Sequence, residues 1–337
     1  MRDMPNLDFV RSIAVVSVVV EHTLLALGIT QVGPFPIPYL GVLGVMVFFV
    51  LTSLVLMWSL ERKPHTLDFY IRRWFRIFPL AIAVIVITLL THAQVGVAPF
   101  GHPSLRDVVI QLALMQDMLP VSTPIVGVMW TLPYEVHMYV LLPMIFFFVR
   151  KNFALWPLLV LWCLVIVGAR SVPGHNFAVA IGYFLPGVMA YVAFGRWQPR
   201  LPSWTLPLFL LAIFALFLPH CNFHRLWYFC LVFGLALPLF RQLQWKPLLA
   251  VSRQIAKYSY GIYLTHPFAV LIGLYLLRQF SLPLRLLAEL ILLVVLPVIA
   301  YHLLEHPMIR LGARLAGKAE SNYEQREMKH YRGSPVV

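Results

Sequence analysis

Apolar stretches of about 20 residues recur from one end of the chain to the other, at about 7–29, 40–60, 70–93, 126–149, 153–170, 176–195, 204–220, 225–241, 257–279 and 283–307. A helix needs roughly 20 apolar residues to cross a hydrocarbon layer of about 30 Å. The pattern therefore predicts an all-α polytopic membrane bundle of about ten transmembrane helices. The short alternating segments of a membrane β-barrel are absent. The fifth, seventh and eighth stretches are the shortest. Residues 105–119 are apolar but too short to span, which predicts an interfacial or re-entrant helix. A transmembrane domain over 1–310 and a cytoplasmic tail over 311–337, disordered or lying on the inner surface, complete the expected organisation. No internal repeat of the kind found in many transporters is visible.

The polar positions inside these stretches carry more information than the apolar ones. The first, LDFVRSIAVVSVVVEHTLLAL, holds Arg11, Glu21 and His22. It cannot be a cleaved leader, because its core is charged and no small-residue cleavage site follows. Ionisable groups within a span are costly and mark function by default. Arg11 and His22 are about three helical turns apart, on nearly one face and roughly 16 Å apart along the axis. That spacing suits a long ligand, held at its charged end by Arg11 and reacting near His22. Snorkelling of Arg11 and a helix-to-helix bond from His22 are the plainer alternative.

Span three opens FYIRRWFRIFPL, where Arg72, Arg73 and Arg76 converge at i,i+3 and i,i+4 spacing. Guanidinium groups suit multidentate binding of phosphate; positive-inside anchoring is the competing reading. Span four carries Glu135, at a depth that residue counting places near His22, which makes the two an orienting pair for general-base chemistry or Glu135 a buried inter-helix bond. On span nine, Tyr260, Tyr263 and His266 form one stripe near Ser259. Ligand lining and aromatic packing both fit it. Glu305, near the inner end of span ten, is expected to pair with the span-three arginines. Gly41, Gly44, Thr52 and Ser53 read as close-packing positions on span two.

Composition adds the orientation. The chain is 61% hydrophobic and 12% charged, with net charge +13. With the N-terminus in the cytoplasm, twenty of the 26 Lys and Arg fall on the inner side and five on the outer, Arg11 lying within a span. This places both termini inside and accounts for the basic charge without nucleic acid. The three cysteines, Cys163, Cys221 and Cys230, show no paired or metal-ligand spacing, and no zinc motif is present, so no metal is expected.

Laid out in order, these residues resemble the acyltransferase 3 family of integral-membrane O-acyltransferases over about 7–307. Arg11 and His22 match its arginine–ten residues–histidine signature. Arg72, Arg73, Arg76, Ile77 and Pro79 match RRxxRIxP. Trp130, Leu132, Glu135, Tyr139 and Pro143 resemble its WSLxxExxxYxxxP segment. Ser259, Gly261, Ile262, Tyr263, Leu264 and His266 resemble SxGIYLxH, and Glu305 with Pro307 its terminal ExP. Thr131 replaces the usual serine, Tyr134 an acidic residue, and Thr52–Ser53 a common Ser–Gly.

The resemblance implies a cytoplasmic acyl-CoA donor, acetyl-CoA first, and a carbohydrate or glycoconjugate hydroxyl acceptor. It implies a stand-alone form without an esterase-like domain, in a bacterial inner membrane among its lipids. In that reading His22 is the base, oriented by Glu135 or Glu21. Arg11 binds donor or steadies developing charge, and Arg72, Arg73, Arg76, Tyr263 and His266 bind the donor. An exporter of an anionic or acylated solute is the alternative from another class, and a non-catalytic envelope scaffold a third.

Overall fold

A computed structural model describes residues 4–93, 102–150, 153–170 and 177–317. The outer-loop segment 94–101 and the tail beyond Gly317 lie outside the described residues. Among the described residues, seven helices are long and apolar enough to cross a membrane, and three shorter apolar helices, Leu155–Arg170, Thr205–His220 and His224–Leu239, fall on the three shortest predicted spans. The chain is an all-α integral membrane protein.

The helices used below are α1 (Pro5–Ala26), α2 (Leu40–Arg62), α3 (Thr66–Thr91), α4 (Leu105–Leu112), α5 (Leu132–Phe148), α6 (Leu155–Arg170), α7 (Phe177–Arg196), α8 (Thr205–Phe217), α9 (Phe223–Ala236), α10 (Lys246–Val270) and α11 (Leu282–Ala300). Helix α1 packs along both α2 and α10; α2 leans on α7, and α10 on α11. Small residues set the α1–α2 approach. A Cβ on Gly44 would meet the Ser17 hydroxyl and the Ala14 carbonyl, and one on Gly41 would meet the Glu21 carboxylate. Close backbone approach of this kind is how membrane helices associate where burial of apolar surface offers no gain over lipid.

The start of α1 is held by Asn6, which is buried. Its Nδ2 donates to the Arg241 carbonyl at 3.1 Å, and its Oδ1 accepts from the Leu243 N–H at 2.8 Å. This clamp fixes α1 against the segment leading into α10, so the register between the two helices is set before their reactive residues meet.

The chain departs from the hydropathy reading in α10 and α11. Helix α10 begins at Lys246, ahead of the expected 257, because Pro247 in its first turn starts a helix whose early turns are amphipathic rather than apolar. Each of the last two long helices then contains a π turn, Leu271–Leu276 and Tyr301–Glu305. Each begins four residues after a proline, Pro267 or Pro297. The second π turn ends on Glu305, and the helix runs on through Gly317.

The stretch 105–119 holds only the eight-residue α4, capped by Ser104 and Asp107 in a reciprocal capping box.

Candidate active site

Helices α1, α2, α3, α5 and α10 enclose a cavity of about 490 Å³. Arg11 from α1 and Arg72, Arg73 and Arg76 from α3 all face it. Each arginine has a carboxylate nearby, yet none is in tight contact. Arg11 stands 4.0 Å from Asp8, Arg72 3.5 Å from Asp68, and Arg76 3.8 Å from Glu305. Glu135 is close enough to Arg73 and Arg76 to interact with both electrostatically. Charge-assisted hydrogen bonds run about 2.7–2.9 Å, so these pairs balance charge without consuming the guanidinium donors. The Nε atoms of Arg72 and Arg73 have no hydrogen-bond partner among the described residues. The arrangement is a cationic cage with unspent donors, suited to a polyanionic group such as a phosphate.

Glu135 is fixed from two sides. Tyr139, one turn on, donates to its Oε1 at 2.6 Å, and the Thr52 hydroxyl does so at 3.4 Å. Thr52 thus lines the cavity, whereas its neighbour Ser53 is fully buried and bonded to the Phe49 carbonyl. Glu305, at the end of the π turn that follows α11, stands beside Arg76 as expected. A Cβ at Gly261 would lie 2.9 Å from Glu305 Oε1, so this glycine leaves the space the carboxylate occupies.

The α10 stripe serves both expected purposes at once. Tyr260 lines the cavity and donates to the Ile77 carbonyl of α3 at 2.6 Å. Tyr263 also lines it, donates to the Val128 carbonyl at 2.5 Å, and accepts from the Thr131 hydroxyl at 2.9 Å. The threonine in place of serine therefore keeps the hydroxyl the site uses. Next along the stripe, His266 lies 6.1 Å from the Tyr263 ring and 4.8 Å from the His22 ring, in edge-to-face contact.

Three consecutive residues of α1 each reach a different element here. Glu21 accepts the backbone N–H of Gly41 at the start of α2. His22 meets His266 of α10. Thr23 donates to Glu289 of α11 at 2.5 Å. His22 Nδ1 is 2.9 Å from the Val18 carbonyl. A carbonyl only accepts, so the proton sits on Nδ1 and the Nε2 lone pair is available as a base.

The expected His22–Glu135 pair is not formed. Glu135 belongs to the arginine cavity, while His22 is not among that cavity's lining residues and is oriented by its own helix carbonyl. Glu21 is likewise turned to Gly41 rather than to His22. Residue counting estimates height along a helix but not the direction a side chain faces, and that is where this expectation fails. Arg11, Arg72, Arg73, Arg76, Glu135 and Tyr263 are brought together; His22 and His266 form a second group joined to the first through Tyr263.

Sequence reasoning missed Asp68, Asn6 and Glu289. Asp68 was recoverable as an i,i+4 partner of Arg72. Glu289 was recoverable as a lone acid within an apolar span. It is buried, with Gly273 of the first π turn packed on its Cβ.

The fold and the site together define a polytopic membrane protein with an arginine cage on one side of an imidazole pair. Residues 4–302 match the family described as an acyltransferase domain, and the chain belongs to that family. A segment of 121 residues is 33% identical to acyltransferase MdmB of Streptomyces mycarofaciens, covering 33% of this chain and 30% of that relative. The chain thus matches less than a third of that relative's length. No solved structure gives a significant match. The chain is thus an integral-membrane member of that family.

Proposed function

We propose that the protein moves an acyl group, acetyl in the simplest case, from acyl-CoA entering at the cytoplasmic side to a hydroxyl of a carbohydrate or glycoconjugate, in a bacterial inner membrane. The observation that carries this reading is the cavity that gathers four arginines, two of them with an unpartnered Nε among the described residues, and reaches Tyr263, beside the His266–His22 pair. Arg72, Arg73 and Arg76 hold the phosphates of the donor. The pantetheine arm runs past Arg11 toward Tyr263, whose bond to Thr131 opens to let the thioester reach His22. Glu135 and Glu305 offset the arginine charge when the cavity is empty of phosphate.

His22 Nε2 takes the proton of the acceptor hydroxyl as its oxygen attacks the thioester carbonyl. The tetrahedral intermediate collapses, the carbon–sulfur bond breaks, and the proton passes to the departing sulfur. The products are the ester and free CoA. Arg11, about three turns before His22 on α1, attracts the polar part of the donor arm.

The test is transfer of label from acetyl-CoA in purified membranes containing the wild type or His22→Ala at equal expression. The expected result is loss of transfer in His22→Ala. Full activity in that variant would remove His22 from the chemistry. Replacing acetyl-CoA by succinyl-CoA or longer donors in the same assay sets the acyl preference.

A further inference from the structure

A second basic cluster lies outside the arginine cavity, between α10 and the helix that continues α11. Lys257 belongs to α10. His302 lies in the π turn after α11, and His306 and Arg310 follow it at one-turn intervals. Two tyrosines tie the two helices together here. The Lys257 ammonium stands over the Tyr258 ring at 4.7 Å and over the Tyr301 ring at 4.8 Å. Tyr258 and Tyr301 meet edge to face at 5.1 Å, Tyr301 stacks on His306 at 5.5 Å, and the Tyr258 hydroxyl is 3.4 Å from His302 Nε2. Lys257, His302 and Arg310 are exposed. Arg310, His302 and Lys257 all lie close enough to His306 to act on it electrostatically. The nearest acid in sequence, Glu305, is turned to Arg76 instead. The cluster thus gathers cations and N–H donors with no carboxylate paired to them among the described residues. Like charges held together in this way are unfavourable until an anion joins them.

The surroundings say which anion. The cluster stands where the apolar stretches of the last two spans meet the water boundary, on the side that the charge bias assigns to the cytoplasm. Helix α11 and its continuation form the least buried of the seven long helices. Along it, Leu287, Ile291, Val295, Ile299 and Leu303 make an exposed apolar stripe at four-residue spacing. Leu303 precedes His306 by three residues, so the stripe runs down onto the cluster. A ligand that fits both parts is apolar along the stripe and anionic at its end.

We propose that this cluster binds the headgroup phosphate of one anionic phospholipid of the cytoplasmic leaflet, whose acyl chains lie along the exposed stripe of α11. Lys257 and Arg310 supply the charge. An ammonium has three donors, and Lys257 spends one on the Tyr258 hydroxyl at 3.2 Å. The imidazoles of His302 and His306 each offer an N–H whether or not they are protonated. Tyr258 and Tyr301 suit the same depth, where amphipathic rings settle at the headgroup level. Basic pockets between helices on the cytoplasmic side are a recurrent form of lipid site. The bound lipid bridges α10 and the end of α11, and its site stands apart from the donor cavity, which none of these side chains lines. The inference is independent of the catalytic role given to His22.

The experiment compares the wild type with Lys257→Gln/Arg310→Gln and with Arg200→Gln/Lys246→Gln, which removes the same charge elsewhere on the cytoplasmic side. Each full-length protein is purified in a non-ionic detergent and checked for a single symmetric size-exclusion peak. Phosphatidylglycerol or phosphatidylcholine is titrated in, and binding of the first lipid is followed by native mass spectrometry. The expected result is preference of the wild type for phosphatidylglycerol. The Lys257→Gln/Arg310→Gln variant should bind it roughly 30-fold more weakly, each basic group at the surface contributing roughly fivefold. The control pair should bind as the wild type does. Phosphatidylglycerol should also raise the thermal midpoint of the wild type and of the control, and not that of the site variant. Undiminished binding in Lys257→Gln/Arg310→Gln overturns the proposal. So does an equal loss in the control pair, which would reduce the effect to overall charge. So does displacement of the lipid by glycerol 3-phosphate at equal concentration, which would make the site one for a soluble phosphate ester.

Discussion

Arg76 sits between a protein carboxylate and the space assigned to the donor, and this makes its removal a two-part test. Glu305 is buried, its oxygens have no hydrogen bond among the described residues, and the cation 3.8 Å away is Arg76. Arg76→Ala strands that carboxylate, and breaking a buried pair from one side costs about 3–5 kcal/mol. Folding stabilities are only about 5–15 kcal/mol, so the single variant is expected to lose protein before it loses affinity. Removing both charges, in Arg76→Ala/Glu305→Gln, spares that cost, because replacing both members of such a pair is often close to neutral. The double variant should be near wild type in thermal midpoint, measured by size exclusion after heating. It should still lack one charged contact to the donor. A hydrogen bond to a charged group contributes about 1.5–3 kcal/mol. At about 1.36 kcal/mol per tenfold, KM for acetyl-CoA should rise roughly 10- to 100-fold, with KM for the acceptor unchanged. An Arg76→Ala protein as stable as wild type refutes the pair. A stable double variant with normal KM for acetyl-CoA refutes the donor site.

Two further outcomes follow from the same geometry. The Asp107 carboxyl is held down from 3.8 to about 2, chiefly by the Ser122 hydroxyl at 2.6 Å, with the backbone N–H groups of Ser122 and Ser104 adding to it. A depressed carboxylate contributes stability that is complete above 3.8 and is lost as pH falls toward 2. Hydrogen exchange over 104–122 should therefore quicken across that window, whereas Asp107→Asn should exchange fast at neutral pH; a wild type indifferent to acid would dismiss the link. Glu289→Leu leaves the Thr23 hydroxyl without its acceptor, at a cost of about 1–3 kcal/mol, and should lower both thermal midpoint and kcat. Glu289→Gln keeps an acceptor oxygen and should recover most of both, and equal loss in the two variants would assign the effect to packing instead.

The hydropathy pattern was enough to find the seven long apolar helices and the three shorter ones among the described residues, because a stretch that must satisfy its own backbone in lipid has little choice but to be helical. Arg11 and the three arginines of α3 were also legible as one group, since their positions along α1 and α3 and the charge bias put them at one end of the bundle. The pairing of His22 was not. It depends on which way α1 turns against α10, and that is decided by Asn6, Gly41 and Gly44, none of which announces its partner in the sequence. Glu135 illustrates the same limit. Its burial and its helix were foreseeable, while its engagement by Tyr139 and Thr52 required the packed structure. Glu289 was readable in principle, as an acid flanked by leucines, and its link to Thr23 was not.

The π turn at Tyr301–Glu305 carries one residue more than an α turn of the same helix would hold. Taking any single residue out of 298–304 would let α11 close into ordinary α register. The helix beyond would keep its angular phase, because the widened turn is what absorbs the extra residue. Glu305 would stay on the face it shares with Arg76, whereas a deletion in a regular α stretch turns everything beyond it by about 100°. A one-residue gap at this place, in an alignment of sequences otherwise alike, therefore records the loss of a widened turn and leaves the ionic balance of the cavity as it was.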